Sequence, residues 1–167
     1  FPDAPSWAKA YAGYIHLLFL LQEHEFARLE VTAAALIDEC REQGYLIIEI
    51  YLNIISALAC SYSGQMEKAM LYLSKALSDA LPDRLYAPFI EFRWLIGELL
   101  EQALNNMGME MPSQIAAKGK AFGGDWKTTL RIVYESQTLP YGLTQKENEV
   151  ATLAAKGLSN REIAEKL

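Results

Sequence analysis

Histidine and acidic side chains are the first candidates for metal binding or catalysis, and this sequence groups them poorly. His16 lies in an apolar stretch and His24 in a polar one, with no third ligand near them. A protein site for zinc needs three or four clustered ligands, so a metal site is not expected. Glu23 and Glu25 could serve as a general acid and base, but charged pairs on helices usually form solvated faces. We therefore expect no catalytic residue, no metal, no cofactor and no enzyme activity.

Glycines near Lys127 and Thr128 raise a second kind of chemistry, the binding of phosphate. Gly119 and Gly124 precede this Lys-Thr pair, which gives a weak likeness to a phosphate-binding loop. In that motif the lysine directly follows the second glycine, and a buried strand precedes the loop. Neither condition is met here, so the segment is interpreted as an ordinary loop.

An aromatic stripe near the start of the chain is a third candidate. Trp7, Tyr11, Tyr14, Leu18 and Leu21 follow one another at alternating intervals of four and three. This spacing puts all five on one face of a helix. The rings could line a ligand groove, since concave surfaces of helical repeats bind partners. Packing of the stripe against other helices is the favoured interpretation.

Composition and charge narrow the class of protein. Of 167 residues, 51% are hydrophobic and 22% are charged, as in folded globular proteins. The net charge of −6 argues against a nucleic-acid surface on the body of the chain, because phosphate binding needs clustered lysine and arginine. Cys40 and Cys60 have no Cys-x-x-Cys or Cys/His context, so two unpaired thiols in the cytoplasm are expected.

Neither the start of the chain nor its two apolar runs indicate a membrane protein. The apolar runs at 10–21 and 45–60 contain polar residues and are shorter than the roughly 18 apolar residues that a membrane span needs. The chain begins with Phe1 and shows no signal-peptide pattern, so an excised fragment is expected.

Apolar spacing predicts an all-α fold built from helical hairpins. Apolar residues recur at intervals of three and four along most of the chain, and polar turns, glycines or prolines separate these stretches. The third helix is apolar nearly all round, so we expect it to lie between neighbours. The predicted helices cover 7–21, 26–40, 45–61, 66–77, 88–105, 114–120 and 125–136. A turn-rich linker follows at 138–142.

The second hairpin resembles a tetratricopeptide repeat. Phe26 and Met66 open the second helix of each hairpin, and their interval of about 40 residues is within the range of helix-pair repeats. The aromatic residues that the family carries in its first helix are replaced by Asn53 and Cys60. The resemblance implies a superhelix of stacked hairpins. The matching small, turn, small, large and small positions are Ala57, Gly64, Ala69, Leu73 and Ala76.

Two capped helices follow the linker. Thr144 with Glu147 forms a capping box, in which each side chain bonds the backbone amide of the other residue. Gly157 ends this helix, and Ser159 with Glu162 forms a second capping box. Two capped helices joined by a glycine turn are what a helix-turn-helix requires before its recognition helix.

Residues 143–167 resemble the start of a LuxR-type DNA-binding domain. The family begins with L-T-x-R-E and has G-x-S-N-x-E-I-A at its centre; this chain has L-T-Q-K-E from Leu143 and G-L-S-N-R-E-I-A from Gly157. Lys146 replaces the usual arginine. The resemblance implies that the second helix lies across a DNA backbone, while the following helix enters the major groove. It implies backbone contacts by Ser159, Asn160 and Arg161, and structural roles for Thr144, Glu147, Gly157, Glu162 and Ile163.

The segment by itself is not expected to bind DNA. Its four cations between residues 144 and 167 are balanced by four acids, and base readout needs a helix in the groove. DNA binding is therefore expected only through the complete parent protein.

Helical hairpins followed by a LuxR-type segment resemble the carboxyl-terminal part of the large maltose-regulator-like activators. The resemblance implies a sensor domain at 1–137, a linker at 138–142 and an incomplete DNA-binding domain at 143–167. The sensor would bind a small-molecule effector or a protein partner, and homo-oligomerisation stays open. The alternative is an interaction scaffold of helical repeats that binds no DNA.

Overall fold

The computed structural model describes residues 4–122, together with Val150, Leu153 and Ile163. The described residues contain helices and no strand, which confirms the all-α class for that part of the chain. The chain divides into two compact units, Phe1–Gly123 and Gly124–Leu167. The first unit contains α1 (Ser6–Gln22), α2 (Phe26–Gln43), α3 (Leu46–Tyr62), α4 (Met66–Ala80) and α5 (Ala87–Asn106). A further helix, α6, covers 113–122.

The predicted helices in the first unit are confirmed, with ends that differ by a few residues. Helices α1, α3 and α5 begin at Ser6, Leu46 and Ala87, so their starting points are almost evenly spaced along the chain. Helices α2 and α4 begin at Phe26 and Met66, and the interval between them matches that between α1 and α3. The predicted helix at 125–136 and the predicted linker at 138–142 lie outside the described residues.

Each of the first four helices ends in the same kind of turn. A residue with positive φ follows the helix, and the next amide bonds back to a carbonyl near the end of that helix, as in a Schellman motif. In the turn after α3, for example, Gly64 has φ of 75° and the Gln65 amide donates to the Cys60 carbonyl at 2.8 Å. The positive-φ residues of these four turns are His24, Gly44, Gly64 and Arg84, and Gly108 is in the same conformation after α5. The numbers of the first four residues show that the turn recurs at a constant interval.

Helix α3 is the centre of the first unit. It contacts α1, α2, α4 and α5, and eleven of its residues are buried. The expectation that this apolar helix lies between neighbours is confirmed. Because α3 contacts both α1 and α5, these three helices lie side by side, while α2 and α4 each pack between two helices of that layer.

Helix α1 packs through only part of the predicted aromatic stripe. Trp7 and Tyr11 are 60% and 57% exposed, and the buried face of the helix is instead formed by Ala10, Leu17 and Leu20. The prediction was wrong for Trp7 and Tyr11 because α1 is apolar nearly all round, so spacing alone does not select its packed face. Tyr14, Leu18 and Leu21 are partly buried against the core. The exposed face of α1 carries large apolar residues at intervals of four: Trp7, Tyr11, Ile15 and Phe19.

Helix α6 packs closely against Arg93 of α5. A Cβ atom at Gly119 would lie 2.6 Å from Cγ of Arg93, so glycine permits the close approach of the two helices. The Arg93 guanidinium donates to Glu101 Oε1 at 2.6 Å, and Ile115 of α6 is fully buried. Gly119 thus lies inside a helix and not in a phosphate-binding loop.

Three residues of the second unit are described, and all are helical. Ile163 is 5% exposed, whereas Val150 is 41% exposed. None of the described helices is long and apolar enough to cross a membrane.

Candidate functional site: a tyrosine-lined cavity

A cavity of about 180 Å³ opens on the first unit where α1, α3 and α5 lie side by side. Glu91 follows Tyr51 by 40 residues, and Tyr51 follows Tyr11 by the same interval. Tyr11, Tyr51 and Glu91 therefore occupy equivalent positions in α1, α3 and α5, and all three line the cavity. The full lining is Tyr11, Tyr14, Ile47, Ile48, Tyr51 and Glu91.

The tyrosines of the cavity form a continuous series of ring contacts. The ring centroids of Tyr11 and Tyr14 are 5.7 Å apart, and those of Tyr14 and Tyr51 are 5.3 Å apart. Phe92 extends the series behind Tyr51, with centroids 6.1 Å apart. These separations are within the range of favourable aromatic pairs. The rings therefore support one another across α1, α3 and α5.

Glu91 supplies a carboxylate to the cavity. The Tyr51 hydroxyl donates a hydrogen bond to Glu91 Oε2 at 2.7 Å. Among the residues that the structure describes, no lysine or arginine forms a salt bridge with Glu91. Among the described residues, the Glu91 carboxylate is thus stabilised by the hydroxyl dipole of Tyr51 and not by a positively charged side chain.

Burial and Glu91 together raise the pKa of Tyr14 and Tyr51. Burial, followed by the charge of Glu91, raises the pKa of Tyr14 from 10.0 to about 12. Burial also raises the pKa of Tyr51, and its hydrogen bond to Glu91 adds to that rise. The hydroxyls of Tyr14 and Tyr51 are thus uncharged at neutral pH.

The cysteines offer no reactive group in this part of the chain. Cys40 and Cys60 are buried and free, which confirms the prediction of two unpaired thiols. Burial, with a smaller contribution from nearby glutamates, raises the pKa of both thiols. A thiol is a nucleophile only as its thiolate, so these side chains act as small apolar core residues. The described residues contain no cluster of three or more side chains that could hold a metal ion.

Of the residues named for the predicted DNA-binding domain, the structure describes Ile163. Ile163 is helical and buried, as noted above. The other residues named for that site lie outside the described residues: Thr144, Glu147, Gly157, Ser159, Asn160, Arg161 and Glu162.

The sequence analysis placed Tyr11 and Tyr14 on a candidate groove but missed Tyr51 and Glu91. The interval between Phe26 and Met66, applied to Tyr11, would have pointed to Tyr51 and then to Glu91. No known protein family, curated protein or solved structure matches this chain. Function is accordingly argued from its residues and geometry.

Proposed function

We propose that this chain is part of a bacterial transcriptional regulator of the large maltose-regulator-like class. In this proposal the first unit binds an effector or partner, and residues 143–167 belong to a LuxR-type DNA-binding domain. The proposal rests on the string from Gly157 to Ala164, which follows one sequence pattern typical of a capping box and contains a second. Ser159, Asn160 and Arg161 would contact the DNA backbone.

The first unit suits the proposed tetratricopeptide-like superhelix. The turns recur at a constant interval, and the odd-numbered helices lie side by side. The small and large positions of the repeat pattern, Ala57, Ala69, Leu73 and Ala76, are all fully buried. Small residues at these positions let neighbouring helices approach closely, which supports a repeating stack.

The cavity supports the effector-binding part of the proposal. Its lining comes from three helices that are far apart in sequence, so a ligand there would contact α1, α3 and α5 at once. A ligand that binds one arrangement of the helices more tightly than another shifts the population toward it. Such a shift in the stack is how an effector would act on the DNA-binding domain.

The test is a DNA titration with the natural gene product that contains this sequence. Fluorescence anisotropy is measured with its own promoter fragment and with random DNA, between about 50 and 200 mM salt. Arg161→Ala is expected to weaken binding to both DNAs and to reduce the slope of log affinity against log salt by about 1, because one phosphate contact is lost. Arg28→Ala, in the exposed Arg28–Glu25 pair of the first unit, is the matched control and should leave the slope unchanged.

The alternative is an interaction scaffold without DNA binding. The exposed apolar face of α1 favours it, because large contiguous apolar patches often mark interaction surfaces. A gene product with no preference for its promoter, and with the same salt slope in wild type and Arg161→Ala, would contradict the regulator and support the scaffold.

A further inference from the structure

We propose that the tyrosine-lined cavity binds an organic cation, specifically an alkylammonium group. This inference deepens the effector-binding part of the proposed function and rests on it. The ammonium group could belong to a small free amine or to the lysine side chain of a partner, since both present the same chemistry.

Charge is the first reason. Glu91 is the only carboxylic acid among the six lining residues, and the lining contains no lysine, arginine or histidine. Its carboxylate accepts one hydrogen bond from Tyr51, which leaves further acceptor capacity for other donors. An ammonium group supplies both a positive charge and donors. A carboxylate or phosphate ligand would meet the repulsion of Glu91.

The aromatic rings are the second reason. Tyr11, Tyr14 and Tyr51 all line the cavity, and the centroids of neighbouring rings in this wall are 5.7 Å and 5.3 Å apart. A cation near the face of a tyrosine ring is attracted by the negative charge of the ring's π-system, and aromatic groups are the usual surroundings of quaternary ammonium ligands.

Size and the remaining lining are the third reason. The volume of about 180 Å³ exceeds the roughly 10–15 Å³ that one water requires, and is smaller than the roughly 300–1,000 Å³ of sites for drug-sized ligands. Ile47 and Ile48 can pack against methylene or N-methyl groups. A sugar would need several hydrogen bonds, whereas only the hydroxyls of Tyr11 and Tyr14 join Glu91 and Tyr51 here.

The experiment titrates this chain with matched charged and neutral probes. Choline and n-butylammonium are compared by calorimetry with 3,3-dimethylbutan-1-ol, the uncharged isostere of choline, and with methyl glucoside. We expect the cations to bind about tenfold or more tightly than either neutral probe. The peptide acetyl-Gly-Lys-Gly-amide separates the two sources: tighter binding than n-butylammonium indicates a partner's lysine, and weaker binding indicates a free amine.

The variant Glu91→Gln isolates the charge. Its amide carbonyl can still accept the Tyr51 hydrogen bond, so the fold should be kept, and circular dichroism checks this. The preference for choline over its neutral isostere is expected to fall to less than about threefold, because the loss of the carboxylate removes the attraction that only the cation feels. Glu98→Gln, which removes a charge from the same helix outside the cavity lining, should leave the preference unchanged.

Three results would overturn the inference: equal binding of choline and its neutral isostere, tighter binding of the glucoside, or a preference that survives Glu91→Gln. The titration contains no DNA. Cation binding without DNA binding by the gene product would therefore refute only the regulator, and DNA binding without a cation preference would refute only the cation site.

Discussion

At the scale of single residues, Glu49 is a buried carboxylate whose ion-pair partner is half-exposed. It lies buried in the first turn of α3, with its side chain 6% exposed, and it accepts hydrogen bonds from Arg41 Nε at 3.1 Å and Nη2 at 2.9 Å. These contacts raise the pKa of the Arg41 guanidinium. Removal of one partner from such a pair leaves an uncompensated buried charge.

We predict that Arg41→Met lowers the free energy of unfolding by about 2–4 kcal/mol, slightly less than for a fully buried pair, because Arg41 is half-exposed. Urea denaturation at pH 7 measures this change. The control is Arg28→Met, whose partner Glu25 is exposed, and it should change stability by less than about 1 kcal/mol. A similar loss in both variants would show that Glu49 is not sensitive to its partner.

The raised pKa values of Tyr14 and Tyr51 predict that the protein becomes less stable at alkaline pH. The pKa of Tyr14 is about 12 in the folded protein and 10.0 in the unfolded chain, so the unfolded chain loses its proton first as the pH rises. Stability from this group is fully present below pH 10 and is lost between pH 10 and 12. The raised pKa of Tyr51 acts in the same direction.

We expect Tyr14→Phe to remove about 1–2 kcal/mol of the decline, a value reduced for solvent screening because the ring is only partly buried. A series of urea unfolding curves from pH 9 upward measures it. Tyr62→Phe, at an exposed tyrosine on α3, is the control. If the stability of both variants falls with pH as steeply as that of the wild type, the pKa of Tyr14 is not raised in the folded protein.

At the scale of helices, the recurring turn is the feature that the sequence revealed only in part. Gly44 and Gly64 indicated two of the four turns, because glycine adopts positive φ without a steric penalty. His24 and Arg84 occupy the same position of the other two turns, and their side chains give no such signal. The constant interval between turns therefore becomes visible only when the backbone angles are known.

We predict that Gly64→Ala lowers the free energy of unfolding by about 1–2 kcal/mol, the cost of a Cβ in the left-handed region. No atom lies within 4 Å of such a Cβ, so the loss comes from the backbone and not from a clash. Gly64→Asn should cost less, since asparagine adopts this conformation more readily. Thermal denaturation of the two variants measures the difference, and equal losses would contradict the backbone explanation.

The packed faces of helices were predictable only where one face is polar. In α4, the predicted repeat positions Ala69, Leu73 and Ala76 are all buried. In α1, apolar residues occur on every side, and the neighbours α2 and α3 select Ala10, Leu17 and Leu20 instead of the aromatic stripe. The repeat interval relates Tyr11 to Tyr51 and Glu91, but whether a cavity opens beside them depends on which face of α1 is left uncovered.

At the scale of the whole molecule, the uncovered face of α1 affects solubility. Ile15 and Phe19 are more than half exposed and continue the face begun by Trp7 and Tyr11. Contiguous exposed apolar residues promote association, whereas a single exposed apolar residue is ordinary.

We predict that Ile15→Glu raises the ammonium sulfate concentration at which the chain precipitates, while stability changes by no more than about 0.5 kcal/mol. Val31→Glu makes the same charge change at a 75% exposed residue on α2. This variant should raise the ammonium sulfate concentration needed for precipitation by a smaller amount. Equal increases in the two variants would show that charge alone, and not the α1 face, is responsible.

The central position of α3 has a consequence for the kinetics of opening. Every other helix from α1 to α5 contacts it, so its amides can reach solvent only when the whole unit unfolds, whereas the described contacts of α1 are with α2 and α3. In native-state hydrogen exchange, the amides of α3 should exchange last, with an opening free energy equal to that of global unfolding, and those of α1 should exchange earlier. Faster exchange in α3 than in α1 would mean that the unit opens from its middle.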